Sequence, residues 1–391
     1  MVGFVMKKSS QFAVLFRFIA FSLMGGSLPV VNAEQLSTLT SQDYNLEVET
    51  LTKLPGVPWG MAWLNADTLI VTLRHGELVS VNLTQAKQGK KAWKSIAGLP
   101  AIWAQGQGGL LDVVRGPDGS FYLTYSKPLN GSGVTTLAKA QIKQNEFGQV
   151  MMSNWQDVLV TDSAGSTNRH YGSRIAFDDS YLYFSVGDRG ERDNGQNTAN
   201  HAASIIRINL DGSLPSNNPF VANNKVADAI YSYGHRNPQG LAYDTKHQRL
   251  WAIEHGPRGG DELNLIEAGA NYGWPITSHG KEYWGPLKVG EAEIKEGINS
   301  PLKVYVPSIA PGSLMLYSGA AFPAWQGDLL SGALKLQHIN RIIMDENGMP
   351  VGEERLLEDL NERVRALLSD SQGNIYFSGD SGNIYKLSPA L

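Results

Sequence analysis

Cysteine is absent from all 391 residues. That excludes disulfides and thiolate metal sites. It leaves the compartment open, because an exported chain that needs no cross-link can do without one. Charge is sparse as well. Charged residues make up 18% of the chain and the net charge is −4, so there is no basic surplus of the kind that holds nucleic acid. Helical periodicity of useful length is nearly absent, and no Ser/Pro-rich stretch marks a linker between domains. Long apolar runs are missing too, except near the start. There Lys7 and Lys8 precede an apolar run, broken by Arg17, that ends in "FIAFSLMGGSLPVVNA". The part after Arg17 is short for a membrane span. Val31 and Ala33 occupy the small-residue positions of a cleavage site before Glu34. The expectation is an export signal over residues 1–33 and one domain over residues 34–391. Once the signal is cleaved, that domain would be soluble, periplasmic and not stably inserted in a membrane.

What the chain does have is glycine, 42 residues, alongside 9 Trp, 15 Tyr and 12 Phe. Many short strands joined by tight turns produce that mixture. A repeat is visible. "MAWLNADTLIVTLRHG", "LLDVVRGPDGSFYLTYS", "SRIAFDDSYLYFSVGD", "LAYDTKHQRLWAIEHG" and "VRALLSDSQGNIYFSGD" share an apolar strand, an Asp/Gly turn and a second strand of aromatic and small residues. "LMLYSGAAFPAWQGDLLSGAL" is a looser copy. Six units begin near residues 61, 110, 174, 240, 314 and 364. Further strand-like runs lie between them, so each unit supplies about four strands. This predicts an all-β, six-bladed β-propeller with four-stranded antiparallel blades. Ring closure removes open sheet edges. "YNLEVETLT", from Tyr44 to Thr52, is the natural strand to complete the last blade.

Propellers bind ligands over the central channel, so polar residues in excess of turn chemistry mark the site. Gln107 lies in a Gly-rich entrance to the second unit. His170 precedes a strand, with Arg174 four residues on, and Asp188 ends a strand where a carboxylate can orient a base. In "YGHRNPQGLAYD", Pro238 biases Asn237 toward extended backbone, which projects Arg236 and Asn237 toward a channel. In "EHGPRGGDELNLIEAGANYGWP", Gly256 and Pro257 offer backbone carbonyls, with Asp261 and Glu262 nearby. Hard oxygens suit Ca²⁺, although the spacing matches no EF-hand and a solvated acidic hairpin explains it as well. Lys335, Arg363 and Arg365 form a cationic set, and strand alternation places the two arginines on one face. Together these residue types suit a small, planar, strongly anionic ligand, one base and a hard cation.

Nine motifs, "GQGGLLDV", "HYGSRIAF", "SVGDRG", "YGHRNPQGLAYD", "EHGPRGGDELNLI", "NYGWP", "PSIAPGSLMLYSG", "GALK" and "RVRALLSDSQGNIY", follow one another between Gly106 and Tyr376, within a likeness that runs from about Val57 to the C-terminus. Their order resembles that of pyrroloquinoline-quinone (PQQ)-dependent soluble aldose sugar dehydrogenases of the glucose/sorbosone dehydrogenase family. The resemblance implies a six-bladed propeller and PQQ contacts from Gln107, Arg236, Asn237, Tyr283, Ser308, Lys335, Arg363 and Arg365. It implies Ca²⁺ held by the carbonyls of Gly256 and Pro257, and a second Ca²⁺ near Glu262 and Tyr272. His170 matches the proton acceptor and Asp188 its partner. The implied reaction oxidises the anomeric carbon of an aldose to a lactone by base-assisted hydride transfer, with an external electron acceptor and a monomer or dimer as the working form. Two departures stand out. "HAASIIRI" has Ala203 and Ser204 where such sequences carry Gly-Lys, and "APGSL" transposes the common "APSGM". Two other readings compete: a calcium-dependent lactonase or esterase on the same fold, and a non-catalytic exported propeller that binds glycans.

Overall fold

The computed structural model describes residues 39–390; the expected signal, residues 1–33, lies outside them. Five four-stranded antiparallel sheets and one five-stranded sheet follow in chain order. Blade 1 comprises Pro58–Asn65, Thr68–Leu73, Glu77–Asn82 and Trp93–Ile96. Blade 2 comprises Leu110–Arg115, Phe121–Leu129, Ser132–Gln144 and Val150–Val160. Blade 3 comprises Ile175–Phe177, Tyr181–Val186, Ser204–Asn209 and Ile230–Tyr233. Blade 4 comprises Pro238–Asp244, Arg249–Glu254, Asp261–Ile266 and Lys303–Tyr305. Blade 5 comprises Met315–Leu316, Leu329–Ala333, His338–Met344 and Pro350–Leu356. Blade 6 takes Val364–Ser369, Ile375–Gly379 and Asn383–Pro389 from the C-terminus and is completed by Asn45–Lys53, with Leu39–Thr40 outside it. The closing strand therefore falls where the sequence placed it, pairing Leu46 with Pro389 and Lys53 with Asn383. No helix among the described residues is long and apolar enough to cross a membrane.

The core sits between blades, because both faces of each blade are covered. Successive residues on one strand then serve opposite neighbours. In blade 1, Leu69 and Val71 pack with Ala366 and Tyr376 of blade 6, while Ile70 packs with Leu123 and Tyr125 of blade 2. In blade 2, Tyr122 turns the other way, toward Leu182 and Phe184 of blade 3. Trp251 and Ile253 of blade 4 meet Leu329 and Ile342 of blade 5, whereas Leu250 meets Tyr183 and Ile205 of blade 3. Two-sided burial explains why the strands read as continuous apolar runs and not as a strict alternation of apolar and polar. Each fully buried large side chain stabilises the ring by about 1.5–3 kcal/mol. The first strands of the blades pack side by side around the channel.

Candidate active site

Charged and polar residues gather where the second strands of blades 1, 4 and 6 end. Arg74 follows Thr68–Leu73, His255 follows Arg249–Glu254, and Asp380 follows Ile375–Gly379. All three line a cavity of about 380 Å³ at the channel mouth, with Trp59, Gln107, Tyr171, Asn237, Gln239, Arg363 and Arg365. Three guanidinium groups and one carboxylate thus face the same space. The carboxylate, Asp380, binds both neighbouring arginines. Arg365 donates Nε to Oδ1 at 2.9 Å and Nη2 to Oδ2 at 3.0 Å, and Arg363 donates Nε to Oδ2 at 2.9 Å. Burial alone would raise the pKa of Asp380. The charge and hydrogen bonds of Arg365 and Arg363 outweigh it and hold the group ionised below the usual carboxylate range. The cavity keeps a surplus of positive charge.

His170 stands beside this cavity, with a left-handed φ of 54° that turns its ring back toward the strand end. Its backbone N–H donates to Gln107 Oε1 at 2.8 Å. Its Nδ1 lies 2.6 Å from Asp188 Oδ1. Asp188 also accepts from the Gly190 N–H at 2.6 Å and from the Trp274 indole at 2.8 Å. This carboxylate fixes the ring with its proton on Nδ1, leaving Nε2 as the free acceptor. Burial pushes the His170 pKa below its usual value, against the pull of Asp188 and with the help of Arg236. For Asp188, burial works toward a higher pKa. The bond from His170 and the charges of His170 and Arg236 prevail and lower it.

Arg236 and Asn237 are set by one buried carboxylate. Glu254 Oε2 accepts both backbone N–H groups, at 2.7 and 3.3 Å, while Oε1 binds His235 Nδ1 at 2.9 Å. The Arg236 side chain donates to the carbonyls of His255 and Gly256 at 3.1 and 3.0 Å. Its Nε is buried with no acceptor. A second, smaller hollow adjoins it, lined by Arg236, Glu254, His255, Gly256, Pro257, Glu262, Tyr272 and Trp274. Glu254 and Glu262 are cross-strand partners there. Burial, with the Glu254 charge beside it, drives the Glu262 pKa well up.

The motif of the Glucose / Sorbosone dehydrogenase family matches residues 56–386. The chain belongs to that family. It is accordingly an oxidoreductase, of the sugar dehydrogenase type. Aldose sugar dehydrogenase YliI of Escherichia coli is 35% identical over 364 residues, covering 90% of this chain and 95% of that protein. The crystal structure of the soluble aldose sugar dehydrogenase from Escherichia coli in the apo-form superposes with a TM-score of 0.81 at 32% identity, covering 88% of this chain and 100% of the other. The PQQ-bound form of an aldose sugar dehydrogenase from Streptomyces coelicolor superposes at 0.69 over 88% of this chain and 98% of the other. At 24% identity, that likeness is one of fold.

Of the residues the family resemblance implied, the mouth brings together Gln107, Asn237, Arg363 and Arg365 in the cavity wall, with His170 and Asp188 beside them. Arg236, Gly256, Pro257, Glu262 and Tyr272 meet in the adjoining hollow. The Tyr272 hydroxyl is engaged with backbone, donating to the Leu265 carbonyl at 2.5 Å. Ser308 is buried behind the wall, donating to Asp261 Oδ2 at 2.6 Å. Lys335 is exposed and does not line the cavity, lying two residues beyond the second strand of blade 5, Leu329–Ala333. Tyr283 is 66% exposed, outside both linings. The sequence reading missed Arg74, His255, Asp380 and Trp274. A signal existed for three of them: "TLRHG", "AIEHG" and "YFSGD" end their units as "FSVGD" does at Asp188. His255 is half-buried between the two hollows, its pKa pushed down to about 3 chiefly by desolvation. It is therefore neutral, with Nε2 bonded to the Pro311 carbonyl at 2.6 Å.

Proposed function

We propose that this chain is a periplasmic quinoprotein that oxidises the anomeric carbon of aldose sugars to lactones, using PQQ and Ca²⁺. One observation carries the reading: a cationic cavity at the ring mouth beside a carboxylate-oriented histidine whose Nε2 is free. Arg363 and Arg365 share a single counter-ion, and Arg236 keeps a buried Nε without an acceptor. That donor set fits a planar polycarboxylate, because guanidinium recognises carboxylate in its own plane. PQQ would be held by Arg236, Asn237, Arg363 and Arg365, with Gln107 beside it, and it supplies a two-electron acceptor for the hydride of the sugar. The carbonyls of Gly256 and Pro257, with the opposed Glu254 and Glu262, form a hard-oxygen set that fits Ca²⁺.

The protein's own step is proton removal. His170 Nε2 takes the proton of the anomeric hydroxyl while Nδ1–H stays on Asp188. A neutral ring is required, and its lowered pKa keeps it neutral at pH 7. Asp188 is held ionised to stabilise the imidazolium that forms. The lactonase reading needs carboxylates free to hold a metal in the channel, whereas the one in the cavity wall, Asp380, is spent on two arginines. The test is reconstitution of the purified protein with PQQ and Ca²⁺, followed by dye reduction with a panel of sugars. Sugar-dependent reduction that chelation abolishes is expected. Lactone hydrolysis without added quinone, and no dye reduction, would overturn the proposal.

A further inference from the structure

The channel does not run through the ring. Below the cavity at the mouth, a second cavity of about 330 Å³ opens at the opposite end, lined by Met61, Trp63, Val114, Leu241, Leu314 and Leu368 among others. Asp112 and Arg174 stand between the two. Both are buried, and they are joined from Arg174 Nη1 to Asp112 Oδ1 at 2.9 Å.

The other contacts of Arg174 are distributed unusually. Arg174 enters blade 3, and Asp112 belongs to blade 2. Arg174 Nε donates to the carbonyl of Gln239, in blade 4, at 2.9 Å. Its Nη2 donates to the carbonyl of Gly312, at the entrance to blade 5, and to that of Arg365, in blade 6, at 2.8 Å. The guanidinium carbon lies 3.9 Å from the ring centroid of Trp59, in blade 1. One guanidinium, entering from blade 3, thus touches the other five blades on the channel axis. Room for it is built into the inner strands. A Cβ on Gly60 would stand 2.8 Å from Asp112 Oδ1. Asp112 Oδ2 is in turn committed to the Ile175 N–H at 3.0 Å. Three of the five groups it touches, Trp59, Gln239 and Arg365, also line the cavity at the mouth.

We infer that Arg174, clamped by Asp112, is a positioning residue: it plugs the channel and fixes the floor of the cofactor cavity, setting the backbone from which Arg365 and Gln239 reach the ligand. This rests on the proposed reading of that cavity as the PQQ site. Lysine cannot replace it. An ammonium presents its donors from a single atom, whereas the guanidinium fork reaches carbonyls on opposite walls while its face covers Trp59.

The experiment measures PQQ affinity, by titration of the purified full chain with Ca²⁺ present, in wild type, Arg174→Lys, Asp112→Asn and Arg174→Ala, with thermal unfolding recorded for each. The expected result is cofactor binding weakened on the order of 10-fold or more in Arg174→Lys while unfolding stays cooperative. In Arg174→Ala, millimolar guanidinium should restore part of the affinity, an effect that general stabilisation would not produce. Wild-type affinity in Arg174→Lys would overturn the inference. Should that variant not fold, Asp112→Asn, which leaves the carbonyl contacts but removes the charge of the clamp and one of its two acceptor oxygens, decides in the same way. If wild type itself takes up no PQQ, the functional reading has failed. The plug is then judged by the crystal structure of Arg174→Ala. A continuous channel with displaced Gln239 and Arg365 backbone supports it, and an unchanged closed floor contradicts it.

Discussion

His170 is a base whose readiness comes from competition between burial and a carboxylate. Burial lowers its pKa below 6.5, and Asp188 raises it without cancelling the shift. Between the lowered value and 6.5 the unfolded chain holds a proton that the folded one does not. The group's contribution to stability is therefore present above pH 6.5 and is lost as pH falls through that window. For the same reason, the acid limb of kcat/KM should inflect below pH 6.5. Replacing Asp188 by Asn removes the influence that raises the pKa, so the limb should move further down while turnover falls. A limb that moves up would contradict the assigned pairing. His170→Ala should lower kcat on the order of 10²-fold or more, measured by dye reduction with saturating sugar; near wild-type turnover would remove His170 from the mechanism. The residue scale is also where the sequence was least legible. Arg363 and Arg365 were recognisable as one-sided cations, but their shared counter-ion Asp380 was not, because it lies across a strand pair. Lys335 and Tyr283 carry the right side chains for an anion and a sugar. Their exposure depends on how their loops leave the ring, which no local pattern encodes.

Two features belong to the scale of strand and turn. At the turn into the third strand of blade 3, Ala203 has φ of 58°, held by bonds from its N–H to the Gly187 carbonyl and from the His235 N–H to its own carbonyl. The family resemblance implies glycine here. Left-handed backbone costs alanine about 1–2 kcal/mol, and glycine gives back about 0.5–1 kcal/mol through its freer unfolded chain. Ala203→Gly should thus stabilise by up to about 1 kcal/mol, read as a raised midpoint in denaturant unfolding; a lowered midpoint would show that the methyl packs more than it strains. In blade 4, Glu254 and Glu262 face each other across neighbouring strands, an arrangement a divalent cation relieves. Calcium should raise the thermal midpoint of the protein without cofactor, and Glu262→Gln should remove that increment. An increment that survives the substitution would place the ion elsewhere. These elements were largely legible. Each unit announced its first two strands and the turn between them. The outer strands were harder to bound, since their edges are set by contacts with the next blade.

For the whole molecule, closure is the organising event. The six units were legible because every blade needs the same apolar pair, and the closing strand was legible because a ring leaves one sheet incomplete. Asn45–Lys53 buries Leu46 and Val48 against Ile375, Phe377 and Leu387 of the C-terminal strands. Deleting residues through Lys53 should expose the edge of Asn383–Pro389 and turn a ring that unfolds cooperatively into an aggregating chain. A truncated chain that unfolds at the wild-type temperature would refute this view of closure. The site inherits its geometry from the ring. Cations from blades 1 and 6, a base from blade 3 and an arginine from blade 4 converge only when all six blades are in place.

The most direct test is a crystal structure of the protein soaked or grown with PQQ and Ca²⁺. The cofactor is expected in the cavity at the channel mouth, its carboxylates against Arg236, Arg363 and Arg365, with His170 Nε2 facing the space beside it. Cofactor bound on another surface, or a cavity still filled with solvent at saturating PQQ, would contradict this expectation.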